Sequence, residues 1–294
     1  MQFGRLMTAM LTPFTPQGDV DETEVKRLVA HLVGTGTDTI VVGGTTGESP
    51  TLTSDERNGL IKLVKAAAAG RAKVIAGTGT NNTRDTIVNS KAAVQAGADG
   101  LMVVTPYYNK PPQNSLYEHY AAIAREVDLP ILIYNVPGRT ACNILPATLA
   151  KLAAIDIFFG VKEASGSLDQ VSEIMRIVPE RFLVYSGDDS LTLPMMSVGA
   201  VGVVSVASHV VGAEMKQMME YFIAGDIHAA IKAHLNLVPI FKALFITTSP
   251  IPLKWAMNRL GLPAGTLRPP LFDMGAEEER VVLDVLLALG KVSS

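Results

Sequence analysis

A lysine that closes an apolar run is the first residue in this chain equipped for covalent chemistry. Lys162 follows Ile157-Phe158-Phe159-Gly160-Val161, and burial among such neighbours would disfavour its ammonium and lower its pKa. A neutral amine attacks a ketone to form a Schiff base. The competing reading is a lysine that reaches solvent or pairs with Glu163. Tyr134 ends a second run, in Ile131-Leu132-Ile133-Tyr134-Asn135-Val136-Pro137-Gly138-Arg139. A phenol beside a Schiff-base lysine can shuttle protons, although a tyrosine can equally fill a packed layer. Arg139 follows the Pro137-Gly138 turn, where its guanidinium suits the two-point capture of a substrate carboxylate or a loop ion pair.

Three further loops carry polar groups after apolar runs. Gly43-Gly44-Thr45-Thr46-Gly47-Glu48-Ser49 could bring backbone N–H groups and two hydroxyls to a carboxylate or phosphate, or be a plain tight turn. No Gly-Lys-Ser/Thr follows, so it is not a Walker loop. Thr105-Pro106-Tyr107-Tyr108-Asn109-Lys110-Pro111 offers adjacent phenols for proton relay or for an interface. In Ser186-Gly187-Asp188-Asp189, Asp189 or Ser190 reads as a helix N-cap. The histidines (His31, His119, His209, His228, His234) have no metal-binding spacing, and no Gly-x-Ser-x-Gly elbow is present. Cys142, the single cysteine, has no disulfide or redox partner. No metal or organic cofactor is expected.

These groups need elements to position them. Apolar runs at 6–11, 39–43, 73–77, 100–104, 131–135, 157–162, 182–186 and 201–206 are rich in Val and Ile, as strands buried on both faces are. Their spacing averages about 28 residues, the size of one βα unit. Helical stripes lie between them, such as Val25, Leu28, Val29, Leu32 and Val33. Asp21 with Glu24, Thr53 with Glu56, and Ser167 or Asp169 give start signals; Gly34, Gly70 and Gly97 give stops. Eight units predict an α/β fold, a (β/α)8 TIM barrel over 1–225. A C-terminal helical appendage follows over 226–294, with helices near 226–247, 251–260 and 276–290. The rival, an open doubly wound sheet, lacks its Gly-x-Gly-x-x-Gly turn here. In such a barrel catalytic groups sit at strand C-termini and the loops after them, which is where Lys162, Tyr134, Arg139 and the three polar loops fall.

The 294 residues are 48% hydrophobic and 18% charged, with 25 Lys+Arg against 28 Asp+Glu. That composition describes a folded chain and argues against nucleic acid or an anionic membrane as the main partner. No signal peptide or membrane span is read, so a cytoplasmic protein is expected.

Nearly the full length resembles the dihydrodipicolinate synthase family of pyruvate-dependent class I aldolases. The resemblance runs from Thr8-Ala9-Met10-Leu11-Thr12-Pro13-Phe14 to Pro250-Ile251-Pro252-Leu253-Lys254. Its most specific stretches are Gly44-Thr45-Thr46-Gly47-Glu48-Ser49, Tyr134-Asn135-Val136-Pro137-Gly138-Arg139-Thr140 and Val161-Lys162-Glu163-Ala164-Ser165-Gly166. It implies that Lys162 forms a Schiff base with pyruvate and that Tyr134, Thr45 and Tyr108 form a proton relay, Tyr108 reaching in from a neighbouring subunit. It also implies that Thr46 and the backbone at Val204 hold the pyruvate-derived end, that Arg139 binds the carboxylate of L-aspartate 4-semialdehyde, and that Gly187 lines the pocket. A homo-oligomer is implied, usually a tetramer built as a dimer of dimers. The N-acetylneuraminate lyase and sugar-acid aldolase branch shares the Lys and Tyr sites but differs around Arg139, and a catalytically silent barrel would have lost relay residues. Lysine-inhibited members bind lysine at a subunit interface, and Ser49, Asn81, Asp85 and Tyr107 match that allosteric site. Pro50, Ser54 and Arg57 depart from the sensitive pattern, so weak or absent lysine feedback is expected.

Overall fold

The computed structural model describes residues 2–292. Eight strands form one closed, all-parallel barrel in chain order: β1 (Leu6–Ala9), β2 (Thr39–Val42), β3 (Lys73–Gly77), β4 (Gly100–Val104), β5 (Ile131–Asn135), β6 (Phe158–Glu163), β7 (Leu183–Ser186) and β8 (Gly202–Ser205). Closure leaves no edge, and β1 pairs with both β2 and β8. Both faces of the sheet are covered. One apolar cluster lies between strands and helices; a second, including Phe3, Met7, Ile75, Leu132, Tyr185 and Val204, fills the barrel interior. The near-continuous hydrophobicity of the strands follows from that double burial.

The helix signals act as expected. Asp21 accepts from the Thr23 and Glu24 N–H groups, Thr53 and Glu56 form a reciprocal capping box, and Ser167 caps the helix Leu168–Ile177. Gly36, rather than Gly34, carries the left-handed backbone after the first helix, with φ +99°. At the turn after β7 the expected cap is also displaced. Asp188, not Asp189 or Ser190, accepts from the Ser190 N–H, which frees Asp189 for a longer-range task.

Strand β6 runs one residue later than its apolar run, and its pairing with β5 shifts between Ile131 and Leu132. On its other side Gly160 lets β6 approach β7 closely, since a Cβ there would lie 2.2 Å from the Leu183 carbonyl oxygen. The resulting register places Tyr134, Lys162 and Tyr185 in one row across β5, β6 and β7. After β8, the helices Ser208–Ile223, Ile227–Ala243, Ile251–Arg259 and Ala276–Ala288 complete the described chain. No helix among the described residues is long and apolar enough to cross a membrane.

Candidate active site

Strand alternation settles where the lysine goes. Lys162 points into the barrel mouth and is 5% exposed, and its Nζ lies 4.2 Å from the centroid of the Tyr134 ring. It takes part in none of the ion pairs among the described residues. Glu163, one residue on, faces the opposite side. There its carboxylate accepts from Asn135 Nδ2 at 3.0 and 3.2 Å, Ser165 N at 2.7 Å and Gln170 Nε2 at 3.3 Å. Burial pushes the Glu163 carboxyl up against the pull of these donors. Asn135 also bonds Asn143 and the Ile144 N–H, so the ends of β5 and β6 are tied together behind Tyr134 and Lys162. Both competing readings of Lys162, solvent and Glu163, are therefore excluded by geometry.

Lys162 opens into a cavity of about 460 Å³ shared with Thr45, Thr46, Tyr134, Arg139 and Gly187. Gly187 makes room for the lysine stem: a Cβ there would lie 2.7 Å from Ala164 Cβ and 3.2 Å from Lys162 Cε. Tyr134, 6% exposed, both fills the interior layer and borders the cavity. Arg139 sits on a short helical turn, Pro137–Thr140; it is exposed, joins no ion pair among the described residues, and lines the mouth. No hydrogen bond joins Tyr134 to Thr45 in the structure, so a relay between them needs substrate or water to bridge.

Two expected members do not border the cavity through their own side chains. The Val204 side chain, 1% exposed, packs in the interior core, which leaves only its backbone for the expected contact; Val206, just after β8, borders the cavity. Tyr108 is 87% exposed at φ +75° and does not border the cavity of its own chain. The cavity is also closed by residues no sequence signal picked out. Phe241, Lys242, Phe245 and Ser249 come over it from the C-terminal helical region. Asp189 Oδ2 accepts from the Val206 and Ala207 N–H groups at 3.1 and 2.9 Å, clamping the loop after β8. Burial raises this carboxyl to about 6. His209, fully buried, donates Nδ1–H to the Val206 carbonyl at 2.8 Å and accepts the Leu11 N–H on Nε2 at 3.2 Å, which links the loops after β8 and β1. Burial pulls its pKa down to about 4.

The Thr45-Thr46 loop is held from outside the barrel. It makes two 3₁₀ turns, Thr45–Gly47 and Ser49–Thr51, joined at Glu48 in a left-handed conformation with φ +53°. Glu48 is 2% exposed, and its Oε1 lies 2.6 Å from the Nζ of Lys254, which is also 2% exposed. Its Oε2 accepts the Arg268 N–H at 2.9 Å. Lys254 and Arg268 both stack over the Phe14 ring, at 4.3 and 4.1 Å. Burial draws the Lys254 ammonium down to about 8 even with Glu48 beside it. Hydrogen bonding to Arg268 holds the Glu56 carboxyl well below the usual carboxylate range.

A second cleft of about 480 Å³ adjoins the first and shares Gly44, Thr45, Met102, Tyr134, Val136 and Arg139 with it. Ser49, Tyr107 and Arg57 line this cleft; Asn81 and Asp85 do not, Asp85 being exposed on the helix Thr83–Gln95. Among the described residues no group of three or more His, Cys, Asp or Glu is placed to hold a metal ion.

Two outcomes follow from this geometry. Lys254→Met should lower stability by about 3 kcal/mol, because it strands a buried carboxylate. Combining it with Glu48→Gln should cost clearly less than the sum of the single changes, as read from urea unfolding midpoints. His209 favours its neutral form in the fold, so stability is full above the unfolded pKa near 6.5 and is lost as pH falls towards 4. The stability gap between wild type and His209→Gln should therefore narrow by about 2 kcal/mol between pH 7 and pH 5. A gap independent of pH would contradict the buried neutral imidazole.

Comparison with known proteins agrees along the whole chain. Residues 2–288 match the family model described as the dihydrodipicolinate synthetase family. A protein of a Cyanothece species named 4-hydroxy-tetrahydrodipicolinate synthase is 51% identical over 288 residues, covering 98% of each chain. One of the same name from Heliobacterium modesticaldum is 53% identical over 290 residues, covering 99% of this chain and 97% of that one. The crystal structure of DHDPS from Cyanidioschyzon merolae with lysine bound superposes with a TM-score of 0.97 at 45% identity, covering 99% of both chains. The chain belongs to the dihydrodipicolinate synthetase family.

Proposed function

We propose that Lys162 carries the condensation of pyruvate with L-aspartate 4-semialdehyde to 4-hydroxy-tetrahydrodipicolinate, the committed step of diaminopimelate and lysine biosynthesis. The single observation that supports this best is the buried Lys162 amine, free of any ion pair among the described residues, facing a cavity beside Tyr134. The name shared by relatives at about half identity points the same way.

The Lys162 amine attacks the ketone carbon of pyruvate, and the carbinolamine loses water to give an iminium. The iminium acts as electron sink, so the methyl group loses a proton and an enamine forms. The enamine carbon attacks the aldehyde of the second substrate, whose oxygen takes a proton to become the ring hydroxyl. The substrate's own amine then adds to the iminium carbon and expels Lys162 as the ring closes. Tyr134 and Thr45 move the protons, with Tyr108 supplied by a neighbouring subunit. Thr46 and the backbone at Val204 hold the pyruvate-derived carboxylate, Arg139 holds that of the semialdehyde, and Gly187 keeps the lysine stem clear. Holding both partners in one closed cavity turns a bimolecular carbon–carbon bond formation into a local one. A homotetramer, a dimer of dimers, in the cytoplasm completes the reading.

Borohydride reduction in the presence of pyruvate should leave an adduct on the peptide containing Lys162. Lys162→Ala should abolish the adduct and lower kcat by at least about 10³-fold. An adduct elsewhere, or activity toward sialic acid in place of aspartate semialdehyde, would refute the assignment. The exposed Tyr108 gives a separate check. Lys162→Ala and Tyr108→Phe subunits should each have low activity alone, and refolded hybrids should recover it, because one site in a mixed pair receives both intact groups. No recovery would confine Tyr108 to its own chain.

A further inference from the structure

One buried carboxylate behind the wall of the catalytic cavity has no cation to balance it and no step of the condensation to perform. Asp189, 2% exposed, joins no ion pair among the described residues, and its Oδ1 is buried without a hydrogen-bond partner. A group of this kind costs stability unless it is paired. It is not needed to cap its own turn, because Asp188 Oδ1 accepts the Ser190 N–H at 3.0 Å and the Ser190 hydroxyl at 2.9 Å. What Asp189 does hold lies on the next strand: its Oδ2 accepts the N–H groups of Val206 and Ala207, 17 and 18 positions on.

Both ends of that bridge reach the cavity. Gly187, Asp188 and Ser190, on either side of Asp189, border it after β7, and Val206 borders it after β8. Val206 is gripped a second time, since its carbonyl accepts from Nδ1 of His209, whose Nε2 accepts the Leu11 N–H after β1. Next to Leu11, Thr12 donates its hydroxyl to the Gly47 carbonyl at 2.8 Å, in the loop that carries Thr45 and Thr46. A belt of hydrogen bonds therefore links the loops after β7, β8, β1 and β2, and of its side chains only Asp189 brings a carboxylate. We propose that Asp189 is a positioning residue of the reaction: by holding the Val206 and Ala207 N–H groups it fixes the end of β8 relative to Lys162 and so sets how well the keto acid is seated. The β8 side is the one that would hold the pyruvate-derived carboxylate at the Val204 backbone, so this inference rests on the Schiff-base reading. Arg139, which would hold the semialdehyde, follows β5 and lies outside the belt.

Borohydride trapping of the Lys162 adduct, quantified by mass against pyruvate concentration, reads the keto-acid step alone. At about pH 8, above the carboxyl's pKa of about 6, Asp189→Ala should raise the half-saturating pyruvate about ten-fold or more, since small misplacements at a reacting site are costly. Asp189→Asn keeps an acceptor oxygen and gives up the charge, so it should raise that value by less, about three-fold. In turnover at saturating pyruvate, the half-saturating semialdehyde should change less than about two-fold in either variant. A merely structural role would lower the melting temperature and leave the pyruvate value of the folded enzyme where it was. The proposal is overturned if both variants keep the wild-type pyruvate value, or if the semialdehyde value rises as much. Should Asp189→Ala not fold, a wild-type pyruvate value in Asp189→Asn overturns it alone. The two readings fail differently: no adduct at Lys162 in the wild type sinks the Schiff-base reading and this one with it, whereas an adduct equally well formed in the variants sinks only this one.

Discussion

An amine held inside an apolar barrel with no carboxylate to neutralise it is the constraint around which the molecule is arranged. Lys162 meets the Tyr134 ring on one side and the backbone of Gly187 on another, and its stem has no room for a larger neighbour. Adjacent residues on a strand face opposite sides, so the same two positions that aim Lys162 inward aim Glu163 outward. A slip of one residue would exchange them, putting a carboxylate in the barrel and the amine among the helices. The close approach at Gly160 and the pairing shift between Ile131 and Leu132 hold that register. Behind it, Asn135, Asn143 and Gln170 satisfy Glu163, so the excluded charge is hydrogen-bonded where it lies.

The C-terminal helical region is part of this arrangement rather than an addition to it. It closes the catalytic cavity with Phe241, Lys242, Phe245 and Ser249, and it sends Lys254 and Arg268 to the loop that carries Thr45 and Thr46. The Glu48–Lys254 pair sits where water cannot screen it, and both groups lose hydration to meet there. Such a contact adds little net stability compared with apolar packing of the same volume. Its effect is on geometry: a buried carboxylate with one acceptable set of partners permits one conformation of its loop. Phe14, its ring in contact with two cations, ties the loop after β1 into the same joint.

Much of the fold was legible in the chain because its signals are local. Val- and Ile-rich runs recurring every βα unit correspond to all eight strands, with β6 displaced by one residue, and Asp21, Thr53 and Ser167 cap the helices they precede. The chemistry-bearing residues Lys162, Tyr134, Thr45, Thr46, Arg139 and Gly187 were legible by type and by place after a strand, and they share one cavity. The turn after β7 shows where such reasoning stops. The sequence points to Asp189 or Ser190 as the cap, but Asp188 takes that place while the N–H groups of Val206 and Ala207 claim Asp189. Tyr108 and Val204 were assigned only through the resemblance; in one chain the first is turned out to the surface and the side chain of the second is sunk into the core.

The order of residues alone determined which segments become strands and helices, and which side chains could supply an amine, a phenol or a guanidinium. Those properties depend on neighbours a few positions away and on the intrinsic reactivity of each group. Only the closed barrel decided which of Lys162 and Glu163 is inside, that Glu48 meets Lys254, and that Asp189 reaches the N–H groups of Val206 and Ala207. These outcomes join residues as much as 220 positions apart, as in the bond from Arg268 to Glu48. No local pattern encodes them, because burial and counter-charge belong to the surroundings that the folded chain builds and not to any one segment.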